Sequence, residues 1–280
     1  CAGVRTVIAN RNSVQSLVPR WADAIDLFLG VIGWFTAVVL NSRAVEQEYG
    51  NHPRRYRKRL LRIDHGFERK TTVLSREHAR RVFGLPTDAV LLGDVARFHP
   101  IKNLTAAIRL LPGRDWHLAL VGQGAQREQL IDFARSLGVL DRLHLVGELP
   151  PSRIGDFLGA LDAFVFPSLD ETFGLAVVEA AQAGVPVVAN DLEVLREVLA
   201  VDGAPCALFV DVSDTEAFAR AVQRLIKDPD LRTQLRSRAA RLTNRYTLDA
   251  MVRCYADLIE ALRRRPASPA RPGPGPRHAG

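Results

Sequence analysis

From Ala163 to Ala189 the chain runs as apolar stretch, polar loop, apolar helix and apolar stretch again, and few folds accept that order. Ala163-Phe164-Val165-Phe166-Pro167 suits a short strand buried on both faces. Ser168 to Phe173 reads as a loop, and a helix is expected from about Gly174 to Ala183, with Gly184 as its left-handed C-terminal cap. Val185 to Ala189 is the next strand, carrying Pro186 near its start, where a missing N–H does least harm. A strand, crossover helix and strand of this kind means a parallel α/β sheet. In such sheets ligands bind beyond the carboxyl ends of strands, beside helix N-termini. Glu171 and the backbone amides of Phe173 and Gly174 are expected at such a place. Glu179 stands inside the apolar helix, and no cation lies near it in sequence. A carboxylate among Val177, Val178 and Ala181 is costly to bury unless something hydrogen-bonds it, and a diol would serve. The alternative is a Glu turned to solvent.

A second unit of the same kind lies earlier. Val90 to Val95 reads as a strand and Asn103 to Leu111 as a helix. The loop between them, Ala96-Arg97-Phe98-His99-Pro100-Ile101-Lys102, places an Arg fork and a Lys point charge at the carboxyl end of that strand. Two cations beside a helix N-terminus make a pocket for a dianion such as a diphosphate. A solvated surface loop is the plainer reading of Arg97 and Lys102 taken alone.

Together these segments resemble the retaining glycosyltransferases of family 4 (glycosyltransferase group 1), over about Val38 to Leu262. Arg97 with Lys102 is similar to that family's Gly-Arg…Lys-Gly phosphate signature, with Ala96 and Asn103 in place of its glycines. Val121-Gly122-Gln123-Gly124 is similar to its Gly-Asp-Gly turn. Glu171 with Glu179 resembles its paired glutamates, although Thr172 stands where Gly is commoner. Asn41-Ser42-Arg43 resembles the end of its amino-terminal domain, and Ile63 to Glu68 occupies the place of a Pro-Asn-Gly segment.

The resemblance implies the α/β GT-B fold, two Rossmann-like doubly wound domains, the carboxyl-terminal one complete and the amino-terminal one only partly present. Residues 1–75 would be the amino-terminal, acceptor-side remnant and hinge, and 76–247 the nucleotide-sugar-binding domain. Residues 248–265 would be a terminal helix crossing back, and 266–280 a disordered tail. The expected activity is transfer of a sugar from a nucleotide-sugar donor to a lipid-linked or saccharide acceptor with retention of configuration. Catalytic roles fall to Glu171, Arg97 and Lys102. Arg97, Lys102, Gly122, Glu171, Phe173, Gly174, Leu175 and Glu179 would bind substrate, Glu171 through sugar hydroxyls and Glu179 through the ribose diol. No metal or cofactor is expected, since fixed cations take its place. The acceptor-side catalytic residue would belong to a leading region beyond this sequence, and the piece alone would be inactive. His99 and His65 are weaker candidates for a base; His65 falls at the interdomain junction and suits the hinge. A GT-B nucleotide-sugar epimerase and a donor-binding fragment without turnover remain the other readings.

Composition sets further limits. Cys1, Cys206 and Cys254 form no paired framework and no metal-binding spacing, which fits a reducing compartment. A lipid-modified terminus at Cys1 is the lesser reading of the non-Met start. The net charge of +7 is uneven: between His52 and Arg81 eleven Lys or Arg face three acids. Such a run suits an anionic membrane surface or anionic acceptor, and no interleaved aromatics support nucleic acid. The near-continuous apolar run Leu27 to Leu40 is 14 residues long, short of the about 20 needed to span a bilayer. A helix over Ala22 to Gly33 and a strand over Ala37 to Leu40 are expected, both buried. A cytoplasmic enzyme, peripheral on the inner membrane face, is the resulting expectation.

Overall fold

The computed structural model describes residues 6–12 and 18–264. Cys1 and the expected tail 266–280 lie outside them. The amino-terminal lobe holds β1 (Ile8–Arg11), α1 (Arg20–Ile32), β2 (Ala37–Leu40), α2 (Arg43–Glu48), α3 (Arg54–Arg57) and β3 (Leu60–Arg62). Its strands form a parallel sheet in the order β1-β2-β3. Val38 and Leu40 of the central strand pack with Phe35, Val45, Tyr49 and Tyr56 into a small core.

The larger lobe opens with α4 (Arg76–Val82), capped by the Ser75 hydroxyl on the His78 N–H. It continues through β4 (Val90–Val95), α5 (Leu104–Ile108), β5 (Trp116–Val121), α6 (Arg127–Ser136), β6 (Leu143–Gly147) and α7 (Pro151–Ala160). Next come β7 (Ala163–Phe166), α8 (Leu175–Gln182), β8 (Val187–Asn190), α9 (Glu193–Val198) and a hairpin of β9 (Ala200–Val201) and β10 (Ala204–Pro205). It ends with β11 (Leu208–Val210), α10 (Thr215–Lys227), α11 (Pro229–Ala240), α12 (Leu242–Arg245) and α13 (Leu248–Arg264).

Six parallel strands stand in the order β11-β8-β7-β4-β5-β6. Both faces are covered. Leu91, Val121, Phe164 and Val187 point into one core, while their neighbours Leu92, Leu120, Val165 and Val188 point into the other. Burial on both sides explains why these strands are apolar without alternation. In chain order the sheet runs outward from β4 through β5 to β6 and then restarts at β7 on β4's other side. The β4/β7 boundary is therefore the topological switch point, where a crevice opens at the carboxyl ends.

Two expectations need correction. The helix anticipated over Asn103 to Leu111 shrinks to Leu104–Ile108, preceded by a 3-10 turn at Pro100–Lys102. The start stands within a residue of the expectation, and the loss is at the carboxyl end, where the Leu110 and Leu111 amides donate to Ala107 O and Ile108 O three residues back, at 3.2 and 3.1 Å, just ahead of Pro112. Asn103 itself is left-handed (φ 48°), a conformation that Asn holds better than most non-glycine residues, so it can stand where the resemblance expects glycine. Second, β2 is fully buried, yet α1 is not: Trp21, Ile25, Phe28 and Ile32 are exposed along it. A continuous apolar run does not report which face of a helix meets the core.

The lobes touch through named contacts. The Glu197 carboxylate accepts from the Arg43 and Ala44 amides at 2.9 and 3.0 Å, closing the start of α2. From α13, Met251 Sδ accepts from the Gly66 amide at 3.3 Å, and the Tyr255 hydroxyl donates to Asn10 Oδ1 at 2.8 Å. Among the described residues no helix is long and apolar enough to cross a membrane.

Candidate functional site

The loop after β4 and the loop after β7 meet at the switch point and are tied together by backbone bonds. The Leu169 amide donates to the Ile101 carbonyl at 2.8 Å. The β4 loop is latched on its other side to the turn after β5: the Phe98 amide donates to Gln123 O at 2.9 Å and the Gln126 amide to Phe98 O at 3.2 Å. Gly122 makes that approach possible. Its φ is +129°, and a Cβ there would lie 2.1 Å from the Ala96 carbonyl oxygen. Gly124 stands against Phe98 in the same way, at 2.5 Å. These glycines set the height of the Arg97 loop.

A cavity of about 420 Å³ opens between the two loops. Arg97 and Lys102 line it from the β4 side; Phe166, Glu171, Phe173, Gly174 and Leu175 line it from the β7 side. Six of the eight sequence candidates thus share one cavity. Gly122 and Glu179 lie outside its lining. Phe173 is buried, so backbone is what it offers the cavity, and Gly174 caps α8 in a left-handed conformation (φ 81°). No side chain caps that end of the helix. Its first amides are orphan donors aimed at the cavity, the arrangement that favours an anion.

Arg97 is exposed and makes no ion pair among the described residues. Lys102 Nζ is paired with the Glu171 carboxylate and sits 5.7 Å from the Phe166 ring centroid. Both members of this pair are largely enclosed. His99 is not part of the cavity's lining, and its Nδ1 accepts from the Ile101 amide at 3.3 Å, which shapes the turn.

Three groups in or beside the site were missed or misplaced from sequence. Asp94, on β4, is fully buried, and burial pushes its carboxyl up to about 8, with Glu171 raising it further and the Val95 amide and Lys102 pulling it down. Its Oδ2 has no hydrogen-bond partner. A charged residue inside the apolar run Val90 to Val95 was the signal available. His65 is more than a hinge residue: it lines the same cavity, meets the Phe173 ring edge-on at 5.2 Å, and its Nε2 lies 3.1 Å from Asn41 Nδ2. An amide NH₂ can only donate, so His65 Nε2 is the acceptor there. Burial lowers its basicity, which agrees with a neutral ring. Asn41 also donates to Thr172 Oγ1 at 3.1 Å, so the amino-terminal lobe reaches the β7 loop directly.

The third is Lys70. Its Nζ lies 3.5 Å from Glu179 Oε1, and both side chains are mostly enclosed. The helix carboxylate therefore has a cationic partner, supplied by the segment linking the lobes, 109 positions earlier and invisible to a local reading. Burial raises the Glu179 carboxyl and Lys70 lowers it in part. Lys70 also borders a second cavity of about 500 Å³ with Glu68, Thr71 and the start of α7. Gly155 lets that segment lie flush on α7, since a Cβ would meet Thr71 O at 2.1 Å.

Residues 75–242 match the glycosyl transferases group 1 family, well over half of the chain. The chain belongs to that family. Among its relatives, the lipopolysaccharide core biosynthesis glycosyltransferase LpsE of Rhizobium meliloti (strain 1021) is 32% identical over 206 residues, covering 72% of this chain and 58% of LpsE. The D-inositol 3-phosphate glycosyltransferase of Saccharomonospora viridis is 34% identical over 210 residues, 68% of this chain and 48% of the relative. The chain thus spans about half the length of the curated relatives it matches. Among solved structures, Anabaena Alr3699/HepE in complex with UDP and glucose superposes with a TM-score of 0.81 at 19% identity, covering 92% of this chain and 72% of that one. WaaG, a glycosyltransferase involved in lipopolysaccharide biosynthesis, gives 0.73 at 18% identity, covering 92% and 75%. At such identities the likeness shows the fold, and that fold is GT-B.

Proposed function

We propose that the protein transfers a sugar from a nucleotide-sugar donor to a hydroxyl of a lipid-linked or saccharide acceptor, retaining the anomeric configuration, as a family 4 member. One observation carries the reading: two cations, a carboxylate and the uncapped start of α8 converge on one cavity at the switch point. The bond from the anomeric carbon to the diphosphate breaks and one to the acceptor oxygen forms. The acceptor proton is lost and the nucleoside diphosphate departs. Arg97, Lys102 and the amides at Phe173, Gly174 and Leu175 would neutralise charge as it builds on the leaving diphosphate. With fixed cations in that place, the reading requires no metal. The phosphate would draw Lys102 between itself and Glu171, leaving the carboxylate to accept donor sugar hydroxyls. Glu179 would hold the ribose diol beside Lys70. HepE has been seen with UDP and glucose, and LpsE is named for lipopolysaccharide core biosynthesis. Both support a nucleotide-sugar donor and a saccharide-type acceptor here. We place the enzyme in the cytoplasm, on the inner face of the membrane where lipid-linked acceptors are met.

A nucleotide-sugar screen by thermal stabilisation tests the donor half. A ligand at about 100 times its dissociation constant adds roughly 2.7 kcal/mol, or about 5–10 °C for a chain of this size. Stabilisation by one nucleotide sugar and its diphosphate, with labelled sugar then appearing on a lipid or saccharide acceptor, is the expected result. Indifference to every nucleotide sugar would sink the reading.

A further inference from the structure

Asp94 puts a carboxyl group where the sheet is otherwise apolar. It lies near the end of β4, between β5 and β7, and the pleat turns it to the same side as Leu92, towards the core that holds Leu104, Leu120 and Val165. Its side chain is 0% exposed. Oδ1 accepts from the Val95 amide at 2.7 Å, and Oδ2 has no hydrogen-bond partner among the described residues. Arg80 shows how the same lobe satisfies a buried charge that serves the fold. Its guanidinium donates to the carbonyls of Ala160, Thr87 and Ala89 and to the Asp162 carboxylate, at 2.7 to 2.9 Å. Asp94 has no such set, and for packing alone an apolar residue would cost less. Its neighbours set the position apart. Asp94 is absent from the lining of the switch-point cavity, yet the charges of Lys102 and Glu171, which do line it, both reach its carboxyl.

The protonation state of such a group decides where Lys102 can go. Lys102 Nζ already has the Glu171 carboxylate as its partner. An ionised Asp94 would be a second carboxylate, enclosed and short of donors, competing for the same ammonium and drawing it back against the sheet. It would also cancel the excess of cations that Arg97 and Lys102 hold over Glu171. In a low-dielectric setting both effects oppose an incoming dianion. A neutral acid does neither. We infer that Asp94 is a positioning residue for the donor: it keeps its proton, and so leaves Lys102 free to turn from Glu171 towards the diphosphate. The inference rests on the diphosphate assignment proposed above and extends it to a residue outside the cavity. The charged groups that bear on Asp94 are Lys102 from the 3-10 turn and Glu171 from the β7 loop. Arg97 and His99 follow on its own loop, and His65 lines the cavity from the segment linking the lobes. Burial pushes the Asp94 carboxyl up to about 8, so the proton is held at neutral pH and lost above it. A bound diphosphate, being negative, would hold that proton more tightly still.

The whole chain is titrated calorimetrically with UDP, GDP and ADP at pH 7 and pH 9. The diphosphate that binds is then followed in wild type and in Asp94→Asn, whose amide is neutral at both values. Asn alters no other titratable group, so a difference between the two proteins belongs to Asp94, and melting curves at both pH values confirm that each is folded. The wild-type dissociation constant should rise roughly three- to tenfold from pH 7 to pH 9, and that of Asp94→Asn should hold within about twofold. At pH 8, titration in two buffers of different ionisation enthalpy should show wild type taking up about half a proton on binding and the variant none. A residue that only packs would change affinity by the same factor at both pH values. Equal pH ratios in the two proteins, or wild-type binding without proton uptake, overturns the inference and leaves the diphosphate assignment standing; the uptake measurement needs no variant. Failure of wild type to bind any of the three diphosphates sinks both.

Discussion

Arg97 and Lys102 enter the same cavity in different states, and replacing each by Ala should separate binding from stability. Arg97 is exposed and has no ion-pair partner among the described residues. Its loss should change the folded state by no more than about 0.5 kcal/mol. Lys102 is paired with Glu171, and the two side chains keep only 19 and 10% of their exposure. Stranding one member of a fully buried pair costs about 3–5 kcal/mol. With solvent still reaching this pair, roughly 1–3 kcal/mol is expected, or about 2–10 °C in melting temperature. For binding, each charge-assisted contact to phosphate is worth about 1.5–3 kcal/mol, a factor of roughly 10–150 in affinity for a nucleoside diphosphate. A nucleoside without phosphates should be indifferent to either change. Calorimetric titration of both ligands, with melting curves of both variants, checks all four numbers. Equal losses for nucleoside and diphosphate would refute the phosphate assignment, and an Arg97→Ala protein melting as low as Lys102→Ala would refute the accounting of the pair.

Gly122→Ala should destabilise the fold and weaken diphosphate binding together, because its Cβ would sit 2.1 Å from Ala96 O at a φ of +129°. The backbone strain alone is about 1–3 kcal/mol, read by melting and titration of the variant. Asp94, with its folded carboxyl pushed up from 3.8 to about 8, keeps its proton in the native state where the unfolded chain has lost it. Its contribution to stability therefore falls as pH rises from about 4 towards 8, by at most about 1.4 kcal/mol per unit. Asp94→Asn should flatten that fall, and the difference between the two denaturation profiles isolates it. Glu179→Gln should weaken ribonucleotide binding and scarcely affect a 2′,3′-dideoxy analogue. A variant with lower stability and unchanged selectivity would reduce Glu179 to a partner for Lys70.

Much of this site was legible because it is built from local units. The strand-loop-helix-strand run placed Glu171 and the α8 amides at a carboxyl edge, and the β4 loop placed Arg97 and Lys102 at another. A parallel sheet brings those edges together whenever the two strands are neighbours, as β4 and β7 are. What escaped depends on long-range pairing. Lys70 reaches Glu179 only because the linking segment lies flush on α7 at Gly155, and no sequence period announces that. Asn41 and His65 join the β7 loop across the lobes, where their contacts depend on how the lobes sit. The early end of α5 was hidden for a different reason: apolar periodicity continues through Leu110 and Leu111 after the backbone has tightened into turns. The run Leu27 to Leu40 conveyed hydrophobicity without direction, so the exposed residues of α1 appeared only with the structure.

The most direct test is a crystal structure of the chain with the nucleoside diphosphate that the thermal screen selects, read for the position of the two phosphates. They should lie in the cavity between Arg97, Lys102 and the amides at the start of α8, with the Lys102–Glu171 pair opened or bridged by phosphate. A diphosphate bound elsewhere, with that cavity unoccupied and the pair unchanged, would contradict the assignment on which the proposed function rests.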